Sequence, residues 1–175
     1  MFDKFGEMDC EGINQAAEGL FNEGDMDSLR LLAKENGIPE EYTDLYIRGE
    51  VPQLCDPLTA ALGKLEIECR ELKPQEIMED WVEYIKGRCM ESESLALAVR
   101  RQGKTLKGCI GELLKWSFGH QQKIDPEIVK AAGISNAKVT LGIPGAGTAK
   151  KIIREYYLGG KKLEGRIYWN WIPWA

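Results

Sequence analysis

Apolar residues recur along most of this chain at intervals of three and four, the spacing of one face of an α-helix. Ile13, Ala16, Ala17, Leu20 and Phe21 predict a first helix over Glu11–Asn22, broken by Asn22-Glu23-Gly24-Asp25. Asp25 or Asp27 can cap a second, carrying Leu29, Leu32 and Ala33 and ending at Asn36-Gly37. Pro39 opens a third over Glu40–Arg48, with Tyr42, Leu45 and Tyr46, stopped by Gly49. Val51–Cys55 reads as a connector. Asp56-Pro57 then gives an N-cap acid followed by proline at the first helical position. Leu58, Ala61, Leu62, Leu65, Cys69 and Leu72 continue that helix. Pro74 is expected to start the next, striped by Ile77, Met78, Trp81, Val82, Ile85 and Cys89.

Glu91–Arg101 predicts a short amphipathic helix. Lys104 or Thr105 starts the most apolar one, with Leu106, Ile110, Leu113, Leu114 and Ser117 on one face. Gly108 and Gly111 lie inside it, each costing up to about 1 kcal/mol relative to Ala. Close approach of another helix would explain them. Asp125-Pro126 repeats the cap-plus-proline start, and Gly133 ends that brief helix. Lys138–Leu141 reads as extended. Ala149, Ile152, Ile153, Tyr156 and Tyr157 then fall on one helical face, terminated by Gly159 and Gly160. The expected fold is all-α: a compact bundle of about eight short helices, with one small extended segment or hairpin near the C-terminus. Residues 1–50 form an acidic helical module, 51–160 a helical core domain and 161–175 a Trp-rich tail.

The glycine loop before the last of these helices misses two motifs. Gly142–Gly147 reads G-I-P-G-A-G, the opening of a phosphate-binding P-loop. That motif needs Lys and then Ser or Thr directly after the last Gly, but Thr148 and Ala149 stand there. Pro144-Gly145-Ala146-Gly147-Thr148-Ala149 is also close to the turn of a helix-hairpin-helix, two residues too short between the second Gly and Thr-Ala. Its logic could survive, since N–H groups at a helix N-terminus favour an anion. Gly145, Gly147, Lys150, Lys151, Arg154, Lys161 and Lys162 are therefore the candidate nucleic-acid contacts. A Gly/Pro connector that caps an ordinary helix is the plainer alternative.

Charge is distributed unevenly along the 175 residues, whose net charge is −5. Residues 1–50 carry 13 acids and 4 bases, whereas residues 101–175 carry 5 acids and 13 bases. Two electrostatic faces follow, unless the halves neutralise each other in the fold. The five cysteines include no C-x-x-C, and the single histidine, His120, has no Cys spaced to join it. Buried reduced thiols are the expectation. No nucleophile, base or metal cluster can be identified, so neither an enzyme nor a cofactor is expected. No apolar run approaches membrane-spanning length. The acidic opening lacks an apolar secretory stretch, so a cytoplasmic protein is the expectation. Trp169, Trp171 and Trp174 either pack back on the domain or offer a partner an apolar patch.

From Pro74 to Gly160 a pattern of helix order and aromatic positions carries a resemblance. It runs through Met78-Glu79-Asp80-Trp81-Val82-Glu83-Tyr84-Ile85, Lys104-Thr105-Leu106-Lys107-Gly108-Cys109-Ile110 and Lys115-Trp116-Ser117. It continues through Asp125 and Ile152-Ile153-Arg154-Glu155-Tyr156-Tyr157. In these residues the chain resembles the PcfK-like proteins of Gram-positive mobile elements and phages, a group that includes type II-A anti-CRISPR inhibitors of Cas9. The resemblance implies a non-catalytic protein of the bacterial host cell that binds Cas9, or Cas9 with its guide RNA, and blocks target DNA binding or cleavage. Cas9 holds nucleic acid in positively charged channels. The acidic module could occupy one, with Asp25, Asp27, Glu40, Glu41 and Asp44 as the first contacts. The basic helix would then meet guide RNA, DNA or acidic groups of Cas9. The alternative is a DNA-binding accessory protein of a conjugative element or phage.

Overall fold

The structure, a computed structural model, describes residues 4–134 and 138–159. Among them are nine α-helices and one pair of two-residue strands, an all-α bundle with a small hairpin. Polar caps fix where most helices begin. Asp9 caps α1 (Cys10–Glu23), Asp25 caps α2 (Met26–Glu35) and Asp56 caps α4 (Pro57–Leu72). In each, the carboxylate accepts a backbone N–H of the first turn, which would otherwise lack a partner. Ser92 and Thr105 do the same for α6 (Glu93–Arg100) and α7 (Leu106–Gly119). Asp125 caps α8 (Pro126–Ala131). Helix α3 (Glu40–Ile47) follows Pro39 without a side-chain cap.

Some boundaries depart from the expectation. Pro74 does not open a helix. Lys73 and Glu76 adopt positive φ around it, and α5 (Ile77–Glu91) begins only after that turn. The extended segment has a partner that the hydrophobic pattern did not mark. Strand β1 (Gln122–Lys123) pairs antiparallel with β2 (Thr140–Leu141), Gln122 opposite Leu141. Two exposed polar residues give no period to read. Helix α9 (Ala146–Leu158) starts at Gly145, so Gly147 lies in its first turn rather than in the loop.

Two apolar clusters form the interior. One gathers Ile13, Ala17, Leu29, Leu32, Ile38, Leu54 and Ala60 from α1, α2, the start of α4 and the connections on either side of α3. The other gathers Ala61, Leu65, Val82, Ile85, Val99, Leu106, Leu113, Ile153 and Tyr157 from α4 to α7 and α9. Helix α4 belongs to both, and packs on α5, α6 and α7. Its backbone meets the α2–α3 turn so closely that side chains are excluded. A Cβ on Gly63 would lie 2.5 Å from the Gly37 carbonyl oxygen. Gly108 makes room between α7 and α9 for a side chain instead, because a Cβ there would strike the Tyr156 hydroxyl. Gly111 faces open space, so the close-approach reading holds for one of the two glycines.

A buried polar seam joins the clusters. The Arg100 side chain is fully buried. Its Nε donates to the Met8 carbonyl at 2.8 Å, and Nη1 to the carbonyls of Asn36 and Ala60 at 3.4 and 3.3 Å. Nη2 reaches Asn36 Oδ1. One guanidinium thus binds the start of α1, the end of α2 and the start of α4. Lys64, also without exposure, pairs with Glu7 and donates to the Arg101 carbonyl at 3.0 Å. Glu7 in turn accepts from Gly103 N, 96 residues away. Glu68 accepts from Leu106 N at 3.0 Å, while its other oxygen is buried without a hydrogen-bond partner. Burial pushes the Glu68 carboxyl above its ordinary value, against the Leu106 N–H and Lys64.

Replacing Arg100 by Met would strand these carbonyls and the Asn36 amide oxygen in the interior. The expected cost is on the order of 3–5 kcal/mol, read from urea unfolding; a loss below about 1 kcal/mol would show that the seam is ornamental. Gly63→Ala should destabilise by about 1–3 kcal/mol through overpacking. Gly111→Ala, in open space, should instead be neutral or stabilise by up to about 1 kcal/mol. Equal thermal shifts for the two alanines would contradict the close approach.

Candidate partner and nucleic-acid interfaces

The acidic candidates cluster at two helix starts. Asp25 and Asp27 stand at the N-terminus of α2, and Glu40 and Glu41 in the first turn of α3. Helices α2 and α3 pack together, so these acids stand on two adjoining helices. Carboxylates there complement the positive end of each helix dipole, so local folding and surface charge favour the same residues. Two of the five are engaged. Asp25 accepts from Ser28 N at 2.9 Å, and hydrogen bonds to Ser28 hold its carboxyl below the ordinary range. Asp44 pairs with Arg30 at 2.7 Å across the α2–α3 joint. Asp27, Glu40 and Glu41 are exposed.

Apolar groups lie among these acids. Helix α3 turns Thr43 inward and leaves Tyr42 43% exposed, although Tyr42 belongs to the aromatic stripe in the sequence. Leu31 on α2 is exposed as well. An exposed aromatic and an exposed aliphatic side chain on the helices that carry these acids suit a protein partner better than a purely electrostatic contact. Sequence reasoning missed both. In an eight-residue helix, three apolar positions do not determine which face is inward.

The ion pairs of the described residues keep mostly to their own segments. Arg30–Asp44 and Arg48–Glu50 lie within the acidic part. Lys86–Glu83, Arg88–Glu91, Lys115–Glu112 and Lys151–Glu155 each lie within one helix. Lys64–Glu7 crosses from the acidic part to the rest, and its ammonium is interior. Among the described residues, these surface ion pairs thus stay within the acidic part or within one helix.

On the basic side, Ala149, Ile153 and Tyr157 of α9 are buried and Lys150, Lys151 and Arg154 are exposed, as the helical period requires. Lys151 approaches Glu155 at 4.0 Å. Lys150 lies over the Tyr84 ring of α5, 5.3 Å from its centroid. Beside them an open groove of about 420 Å³ is lined by Tyr84, Gly87, Arg88, Glu91 and Lys150. Tyr84 lies in the stretch that carries the family resemblance but was given no contact role, and no motif marked Arg88; both come near Lys150 only through the packing of α5 on α9. No side chain caps α9, and Gly145, Ala146 and Gly147 are exposed. The position where a P-loop needs its metal-binding hydroxyl is Ala149, which is buried in the core.

A second groove of similar volume, at the start of α5, is lined by Gln75, Glu76, Ile77, Glu79 and Asp80. It is acidic and open. Among the described residues no group of His, Cys, Asp and Glu is placed to hold a metal ion. No helix among them is long and apolar enough to cross a membrane. His120 ends α7, with its ring stacked on Trp116 at 4.1 Å and Nδ1 against the Trp116 carbonyl. Lys161, Lys162, Trp169, Trp171 and Trp174 lie outside the described residues. Comparison of the chain with protein-family models, curated proteins and solved structures finds no match.

Proposed function

We propose that this protein is a non-catalytic inhibitor that binds Cas9, with or without guide RNA, in the cytoplasm of a bacterial host cell and blocks target DNA binding or cleavage. The observation that carries the reading is the acidic surface that Asp27, Glu40 and Glu41 expose on α2 and α3. Such a face suits a channel built to hold phosphates. Tyr42 and Leu31 add the apolar anchors that a stable protein contact needs. The basic face of α9 then meets nucleic acid or acidic groups at the edge of the same contact.

A pull-down of Cas9 by the full chain, with and without guide RNA, tests the partner. Reversing Asp27, Glu40 and Glu41 together to Lys tests the face. These three are the right choice because Asp25 caps α2 and Asp44 bridges two helices, so changes there confound binding with folding. The triple variant should keep its far-UV circular dichroism and lose at least about tenfold in Cas9 affinity. Inhibition unchanged by the triple reversal would remove the mimicry reading.

A second reading rests on the uncapped start of α9 with Lys150 and Arg88 beside it: a DNA-binding accessory protein of a mobile element. On it, the free protein shifts DNA in a gel at low salt and releases it steeply as salt rises. Replacing Lys150 and Arg154 by Glu should abolish the shift. No shift at low salt excludes this reading.

A further inference from the structure

Two of the five thiols face each other. Cys10 Sγ lies 3.9 Å from Cys55 Sγ, although 45 positions separate them in the chain. Both are free and buried. Asn14 holds the pair in place. Its Nδ2 donates to the Cys55 carbonyl at 2.9 Å, and its Oδ1 accepts from Cys55 N at 3.0 Å. That two-point clasp fixes the backbone of Cys55 against α1, one turn from Cys10. Cys10 is the first residue of α1, where unpaired backbone N–H groups favour a thiolate. It keeps 7% of its surface exposed, between exposed Asp9 and Glu11.

We propose that Cys10 and Cys55 are a site of reversible oxidation, a dithiol that a peroxide converts to a disulfide. The Cys10 thiolate attacks one peroxide oxygen; the O–O bond breaks, and the leaving hydroxide takes the thiol proton as water. Cys10 becomes a sulfenic acid. The Cys55 sulfur then attacks the Cys10 sulfur, the S–O bond breaks, and hydroxide leaves with the Cys55 proton as a second water. Two thiols lose two electrons, and one hydrogen peroxide is reduced to two waters. The roles follow from the surroundings. The hydrogen bond between the two thiols holds Cys10 below its ordinary value, and the Arg100 charge adds to this, against burial and the charges of Asp56 and Asp9. Cys55, the more buried, is held protonated by its bond to Cys10 and by desolvation. Sulfur must travel about 2 Å to reach bonding distance, which side-chain rotation supplies in part. Cys89 and Cys109 lack these features. Burial in the apolar core pushes them up to about 11 and about 12.

The bond would close a loop from the start of α1 to the residue before the α4 cap, and so enclose the whole acidic unit of α1, α2 and α3. Loop closure of that length restricts the unfolded chain and raises the Tm.

The test treats the purified, reduced full chain with equimolar hydrogen peroxide, blocks remaining thiols, and digests with trypsin without reductant. Arg30 and Arg48 separate the two cysteines, so the linked peptides are recognisable. The expected result is a Cys10–Cys55 peptide pair two hydrogens lighter than its reduced parts, reversed by dithiothreitol, with a Tm raised on the order of 5–10 °C. Cys55→Ser should trap Cys10 as a sulfenic acid that dimedone labels. Should that variant fail to fold, the wild-type peptide map and melting curve decide alone. Both thiols remaining alkylatable after peroxide, or pairing no more frequent than with Cys69, Cys89 or Cys109, would overturn the proposal. So would a link that forms only in urea.

Discussion

The Arg100 guanidinium, shut away from water, holds the two apolar clusters of this chain together. Neither cluster alone accounts for how the N-terminal helices sit on α4 and α6. Arg100 does, because its donors end on Met8, Asn36 and Ala60, residues from separate turns of the N-terminal half. A buried charge is expensive unless its donors are used. Here most are, and burial still lowers the guanidinium's pKa, against the neighbouring Cys55 and Glu7. Lys64, Glu7 and Glu68 complete the seam with two acids against two bases. The seam is also directional. Carbonyls and carboxylates accept only at particular angles, so it fixes one arrangement of clusters that hydrophobic burial alone would leave free to slide.

The surface follows from that interior. Lys64 and Glu7 are paired inside, and the other ion pairs among the described residues join groups within the acidic part or within one helix. The N-terminal helices present carboxylates at their dipole-positive ends, and α9 presents lysine and arginine opposite its buried stripe. On the proposed function, the first face replaces phosphate in a basic channel. The cysteine pair lies at the root of that acidic unit, held by Asn14. An oxidant would therefore act on the unit's stability and not on its surface.

Most of the helices were legible because their starts carry chemistry. Asp25, Asp56-Pro57, Thr105 and Asp125-Pro126 all cap what the hydrophobic period predicts. The seam was visible only in part. Lys64 and Glu68 lie four residues apart among Ala60, Ala61 and Leu65, polar residues on an apolar face. Their partners Glu7, Arg101 and Leu106 are distant in sequence, and no period links them. Strand β1 and the groove beside Lys150 were illegible for the same reason: Gln122 and Tyr84 gain their places from tertiary packing. Of the acidic candidates, Asp27, Glu40 and Glu41 are exposed, whereas Asp25 and Asp44 proved to be engaged in the fold.

Calorimetric titration of Cas9 with the full chain over a series of salt concentrations reaches the central claim most directly. If carboxylates take the place of phosphates, affinity falls steadily as salt rises, in step with the screening of exposed charge. Binding that holds constant from low to high salt, or heat that never appears at low salt, would contradict the account.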